Sequence, residues 1–274
     1  MAKTAILTGA ASGLGLAMAF GLLEVGIDVA AVDKEERLLR QFADVVAERR
    51  PPGALQTITA DLSQEESFAA IFDAALARFG HIDALVNNAG IGQASVRSDQ
   101  RRNPIRFWEI TPEQWRRFVA VNATAPLMLA RTVVPHMIER RQGRIVTVTT
   151  SLGTMIRGGY ALYGASKAAA EAATAIMAAD LAGTGVTANV LVPGGMTDTR
   201  IIPEGEVPER HKLLRPEIMV PPLLWLLSDA AASVTARRFL GVHWDPSLPT
   251  EQAAERSGAP IAWTSIATMP IEPV

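Results

Sequence analysis

From residue 4 to residue 193 the chain alternates between short apolar runs and longer stretches with helical spacing. The runs are TAILT (4–8), DVAAVD (28–33), LQTITAD (55–61), IDALVNNAG (82–90), GRIVTVTT (143–150) and VTANVLVP (186–193). They are close to continuously apolar rather than alternating, which suits strands covered on both faces. Helical stretches occupy 13–25, 35–49, 65–79 and 163–181, and TPEQW (111–115) opens a longer one, with Thr111 as N-cap and Pro112 at the first helical position. Such β-α units in series predict an α/β fold: one doubly wound parallel sheet of about seven strands, with helices on both faces. The seventh strand is RFLGVHW (238–244), preceded by a short helix at PPLLWLLSD (221–229). Residues 1–244 read as one domain, and 245–274 as a proline-containing tail without a strong period.

Composition removes several functions. Lys+Arg is 26 and Asp+Glu is 28, so the net charge of −2 gives no nucleic-acid footprint and no basic membrane-binding face. The chain has no cysteine, hence no disulfide, thiolate nucleophile or cysteine metal site, which fits a reducing, cytoplasmic setting. His81, His136, His211 and His243 are scattered without ligand spacing, so no metal is expected. The apolar run Ala5–Leu7 is too short for a signal-peptide core, and no apolar stretch of about 20 residues suggests a membrane span.

The turn TGAASGLG (8–15) leaves the first strand and opens the first helix. Gly9, Gly13 and Gly15 let the backbone turn tightly and approach a pyrophosphate, beside Ser12 and Leu14, while the helix start offers free N–H groups and a partial positive charge. No Gly-Lys-Ser/Thr follows, so this is not a P-loop. Asp33 ends the second strand, 18 residues beyond Gly15. A carboxylate there accepts from the adenosine ribose hydroxyls and repels a 2′-phosphate, which favours NAD over NADP; Lys34, next in sequence, is the counter-argument.

Together these features resemble the short-chain dehydrogenase/reductase family, a Rossmann-type fold. Beyond the glycine turn and Asp33, the resemblance rests on Asp61-Leu62, on NNAG (87–90) with Asn88, Ala89 and Gly90, on Asn122, on YGASK (163–167), and on Pro193-Gly194 after the sixth strand. It covers roughly residues 4–244. It implies a nicotinamide dinucleotide cofactor, an alcohol or ketone substrate, and a homotetramer or homodimer. The 245–274 tail is longer than the family usually needs, and is expected to cover the active site or reach a neighbouring subunit.

Tyr163 and Lys167 are four apart, hence on one helix face. A free phenol titrates near 10, and an adjacent ammonium is expected to lower it toward useful proton transfer. The resemblance makes Tyr163 the general acid/base, has Lys167 bond the nicotinamide ribose, and gives Asn122 a water that links Lys167 to solvent. Two positions depart from the family pattern. Its substrate-orienting serine falls thirteen residues before the tyrosine, at Thr150, with Ser151 next. Its threonine five residues after the proline is Asp198 here, flanked by Thr197 and Thr199, either of which can serve. The expected activity is NAD(P)-dependent hydride transfer to or from a secondary alcohol or ketone. The alternatives are an epimerase or dehydratase on the same scaffold, or a catalytically silent NAD-binding sensor or interaction protein.

Overall fold

The computed structural model describes residues 2–267. Eight strands form one sheet in the order β3-β2-β1-β4-β5-β6-β7-β8. They are β1 Thr4–Thr8, β2 Asp28–Asp33, β3 Leu55–Thr59, β4 Ala84–Asn87, β5 Gly143–Val148, β6 Val186–Val192, β7 Arg237–Leu240 and β8 Gly258–Pro260. β1 to β7 are parallel and β8 runs antiparallel to β7. The strands alternate their side chains between two apolar layers. Ala5 and Leu7 pack with Met18 and Leu22 of α1 (Gly13–Glu24), Phe42 of α2 (Glu36–Arg49) and Leu223 of α8 (Val220–Leu226). Ile6 faces the other layer, with Ile71 of α3 (Glu66–Phe79), Leu129 and Val133 of α5 (Ala125–Glu139), and Met177 of α7 (Ala161–Asp180). Burial on both faces is why the strand sequences are continuously apolar.

Four expectations change. The sheet has an eighth strand, supplied by the tail, which also forms α9 (Thr250–Ser257); the remainder of the tail, 268–274, lies outside the described residues. β8 is three residues long and ends on a proline that cannot donate to a ladder, a suitable end for a sheet edge. The 238–244 strand stops at Leu240 and closes in a single 3₁₀ turn at Gly241–His243. β4 and β5 are shorter than their apolar runs, so Asn88–Gly90 and Thr149–Ser151 leave the ladder and project beyond it. Finally, α4 (Pro112–Val119) and α5 join through a π turn at Ala120–Thr124, and this continuous 112–139 helix is by length and composition apolar enough to cross a membrane. Its buried residues, Phe118, Leu129, Val133 and Met137 among them, pack against the sheet and neighbouring helices. Its start is fixed as expected: Thr111 Oγ1 accepts from Gln114 N at 3.2 Å, and Gln114 Oε1 accepts from Thr111 N at 3.0 Å.

β1 sits between β2 and β4, so the chain reverses its direction of winding there. The crevice outside the carboxyl ends of those strands is where open α/β sheets take ligands.

Candidate active site

An open cleft of about 660 Å³ lies at that reversal, within the usual range for a small-molecule site. Gly9, Ser12, Gly13 and Leu14 form its floor, Asp33, Asp61 and Leu62 one side, and Asn88, Ala89 and Gly90 the other. Gly15 is behind the floor, and its role is packing: a Cβ there would sit 1.9 Å from the Gly9 carbonyl oxygen. The start of α1 carries no side-chain cap, so its first N–H groups are left for a ligand. Thr8 ties the two walls together, because its hydroxyl oxygen accepts from Asn88 N and Ala89 N at 3.1 Å. Asn88 Nδ2 donates to Thr8 O at 2.9 Å and to Gly9 O at 3.1 Å.

Asp33 is held in place by two backbone donors, Ala11 N to Oδ2 at 3.0 Å and Glu35 N to Oδ1 at 3.1 Å. Asp61 titrates below the usual carboxylate range, chiefly because Ser63 N donates to it. Lys34 and Arg117 add smaller attractions, and both line the cleft. A capless helix start, a fixed carboxylate and a cleft of this size fit a dinucleotide.

The segment after Gly194 closes the fourth side. Thr199 packs over Gly13 and Ile201 over Gly92, and Thr199, Arg200 and Ile201 line the cleft. Thr197 does not: it is buried, bridged to Leu214, with its hydroxyl donating to Gly195 O at 3.2 Å. Pro193 and Gly194 also lie off the cleft, against Val242, whose N donates to Pro193 O at 3.0 Å.

Tyr163, Lys167, Asn122 and Thr150 do not line that cleft: Asn122 and Lys167 stand at its Gly90 edge, and Tyr163, with Thr150 beside it, is one helical turn before Lys167. Gly90 has no side chain to keep them apart: a Cβ would lie 3.1 Å from both Asn122 Oδ1 and Lys167 Nζ. Lys167 is buried and donates to Val148 O at 2.8 Å. Asn122 is fully buried in the π turn. Its Oδ1 accepts from Ile91 N at 2.9 Å, and its Nδ2 donates to Ile91 O and Ser166 Oγ at 3.0 Å. The Thr150 hydroxyl lies beside the Tyr163 phenol and favours its charged form, whereas Ser151 caps the short helix α6 (Leu152–Met155) through its backbone carbonyl.

The protonation balance differs from the one expected from spacing alone. Desolvation pushes the phenol of Tyr163, a residue half-buried over its whole surface, up to about 12, against the opposing pull of the Thr150 hydroxyl. Burial likewise pushes the Lys167 ammonium down to about 8. Desolvation therefore sets both shifts, and the lowering of the phenol expected from Lys167 is not found. These shifts favour a protonated phenol at neutral pH and an ammonium that keeps its charge below about 8.

Sequence reasoning missed Gln93. It is buried after the NNAG turn, donates through Nε2 to Gly159 O, and accepts from Tyr163 N at 3.4 Å. It thus sets the start of α7, yet a lone glutamine in a polar stretch carries no signal. Arg157 is exposed and stacks on Tyr160, 5.1 Å from the ring centre.

The profile of the short chain dehydrogenase family matches residues 3–206. The chain is 32% identical over 251 residues to 3beta-hydroxysteroid dehydrogenase 1 of Eggerthella lenta, covering 85% of this chain and 89% of that protein. Its fold is similar to that of a 3-ketoacyl-(acyl-carrier-protein) reductase from Brucella melitensis complexed with NADH, with TM-score 0.74, 28% identity, and 85% and 93% of the two chains covered. It is equally similar to a protein assigned as an NAD(P) dependent gluconate 5-dehydrogenase from Beutenbergia cavernae with bound NADP, with TM-score 0.74, 31% identity, and 87% and 94% covered. The chain belongs to the short-chain dehydrogenase/reductase family and is an NAD(P)-dependent oxidoreductase acting on CH–OH groups.

Proposed function

We propose that the chain oxidises a secondary alcohol with NAD, or reduces the matching ketone with NADH, and that Tyr163 is the general acid/base. The observation that carries this reading is the Lys167 ammonium at the Gly90 edge of the cleft, one helical turn after a Tyr163 phenol that has the Thr150 hydroxyl beside it. A bound nicotinamide would supply or accept the hydride. Tyr163 gives its proton to the ketone oxygen, and Thr150 donates to the same oxygen and orients it. Lys167 lies at Gly90 and would hold the ribose of a bound dinucleotide. Asn122 holds the Ile91 backbone and, through Ser166, the first turn of α7, and has one acceptor lone pair left for a water beside Lys167. Thr199 is the better placed of the two threonines to meet the cofactor. The expectation of a cytosolic homo-oligomer rests on membership of the family.

Asp33 supports NAD, since its fixed carboxylate would lie against a 2′-phosphate, and like charges in contact cost several kcal/mol. The test compares kcat/KM with NAD and with NADP over polyols, sugar acids, hydroxysteroids and simple secondary alcohols. NAD is expected to lead, and Asp33→Asn should move the ratio toward NADP by about 10- to 100-fold. A wild type that works only with NADP would overturn the assignment.

The orienting hydroxyl is tested by Thr150→Val beside Ser151→Ala. Thr150→Val is expected to lower kcat by about 10- to 100-fold, the cost of one donor to the reacting oxygen, while Ser151→Ala stays near wild type. The reverse order would assign the role to Ser151.

A further inference from the structure

Glu171 is fully buried on α7, four residues after Lys167 and eight after Tyr163, so the three share a helix face. Its Oε2 accepts from Thr149 Oγ1 at 2.6 Å. Its Oε1 accepts from Arg238 Nε at 2.8 Å and from Ala262 N at 3.2 Å. Arg238, on β7, has a side chain only 6% exposed, and its Nη2 donates to Thr150 O at 3.0 Å. Neither charge touches the cleft lining, and none of the roles derived above uses either of them.

Taking two charges out of water costs more than a hydrophobic pair of the same size would. The pair therefore needs a reason beyond stability, and its contacts supply one. β5 ends at Val148, and Thr149 N still donates to Leu191 O at 3.3 Å, so from Thr150 onward sheet pairing no longer fixes the backbone. Side chains hold three successive residues across this exit: Lys167 bonds Val148 O, Glu171 bonds Thr149 Oγ1, and Arg238 bonds Thr150 O, the first residue beyond the ladder bonds. The tail completes the arrangement. β8 lies along β7, Ile261 is buried against Val190 and Val192, and Ala262 turns through φ 52° to present its N–H to Glu171.

We propose that the Glu171–Arg238 pair is a positioning device that fixes the backbone carrying the Thr150 hydroxyl relative to Tyr163, and that the 258–262 segment of the tail locks it. The inference rests on the catalytic reading of Tyr163 and Thr150. Both residues are positioning residues, since neither reaches the reacting atoms. A displacement of about 1 Å at such a group can cost up to about a hundredfold in rate.

The test separates position from stability. Glu171→Met combined with Arg238→Met removes both charges and keeps the volume apolar, but takes partners from Thr149 Oγ1, Ala262 N and Thr150 O, so the melting temperature should fall by several degrees at most while the protein stays folded. Its kcat should still fall by about 10- to 100-fold, with KM and NADH affinity held. A folded double variant with wild-type kcat, whatever its melting temperature, would overturn the proposal, because the pair would then not position the Thr150 hydroxyl. If the double variant does not fold, Thr149→Val takes its place, removing only the hydroxyl that Glu171 holds. A severalfold fall in kcat is then expected, and an unchanged kcat counts against the proposal. Tyr163→Phe runs alongside. If it stays active, the catalytic reading itself fails; if it is inactive while the double variant is fully active, only the positioning role fails.

Discussion

Tyr163→Phe is expected to turn over about 10²- to 10⁴-fold more slowly than the wild type, the usual worth of a positioned acid or base, while NADH affinity changes by less than about twofold. The substitution removes one oxygen. The glycine floor, Asp33 and Asp61, which form the dinucleotide end of the cleft, do not touch that oxygen. The phenol is pushed up to about 12, so it stays protonated through neutral pH and is in the right state to reduce a ketone. Wild-type ketone reduction should therefore be level across neutral pH. It should fall as pH rises through about 8, where Lys167 loses its charge. The oxidation direction needs a phenolate and should gain with pH until that same loss intervenes. Stopped-assay kcat over a pH series, with NADH affinity by fluorescence titration, checks both statements. A Phe variant with near-normal kcat would remove Tyr163 from the chemistry.

Gly15→Ala is the second large effect, and it acts on binding rather than chemistry. The added Cβ would lie 1.9 Å from Gly9 O and 2.6 Å from Asn88 Nδ2, in a place where backbone has to move. Gly9 cannot yield alone, because its carbonyl accepts from Asn88, which also holds Thr8. Forcing a methyl into such a contact costs about 1–3 kcal/mol of stability. In a chain this long, that is a fall of several degrees in melting temperature. The shift spreads to the α1 start and to Asn88–Gly90, both of which line the cleft, so NADH affinity should drop at least about tenfold, the size of a 1.4 kcal/mol loss. Calorimetry and cofactor titration on the same sample check it. Wild-type affinity in this variant would show that the glycine floor does not position the cofactor.

Much of this architecture was legible because the governing patterns are local. TAILT and DVAAVD become β1 and β2 over the same residues, since buried parallel strands are written as unbroken apolar runs. The glycine turn, Asp33 and NNAG announce one end of the cleft because turns and strand ends need particular residue types. β8 was not legible: Gly258–Pro260 is too short to show a period, and only its partner Arg237–Phe239 makes it a strand. The choice between Thr197 and Thr199 was also hidden, since it depends on how Leu214 draws Thr197 inward. The protonation balance of Tyr163 and Lys167 could not be read from their spacing, because burial comes from the packed structure. Glu171 and Arg238 stand 67 residues apart and declare nothing until β7 is laid beside β6 and α7 crosses behind.

The central claim is that this cleft passes hydride between an alcohol carbon and NAD. The most direct measurement incubates the purified protein with NAD and secondary alcohols carrying deuterium on the hydroxyl-bearing carbon, then follows reduced cofactor by absorbance and its label by mass spectrometry. The account predicts NADH that forms only with substrate and carries one deuterium from it. Saturable NADH binding with no labelled cofactor from any alcohol would contradict it, and would leave a dinucleotide-binding protein that performs no hydride transfer.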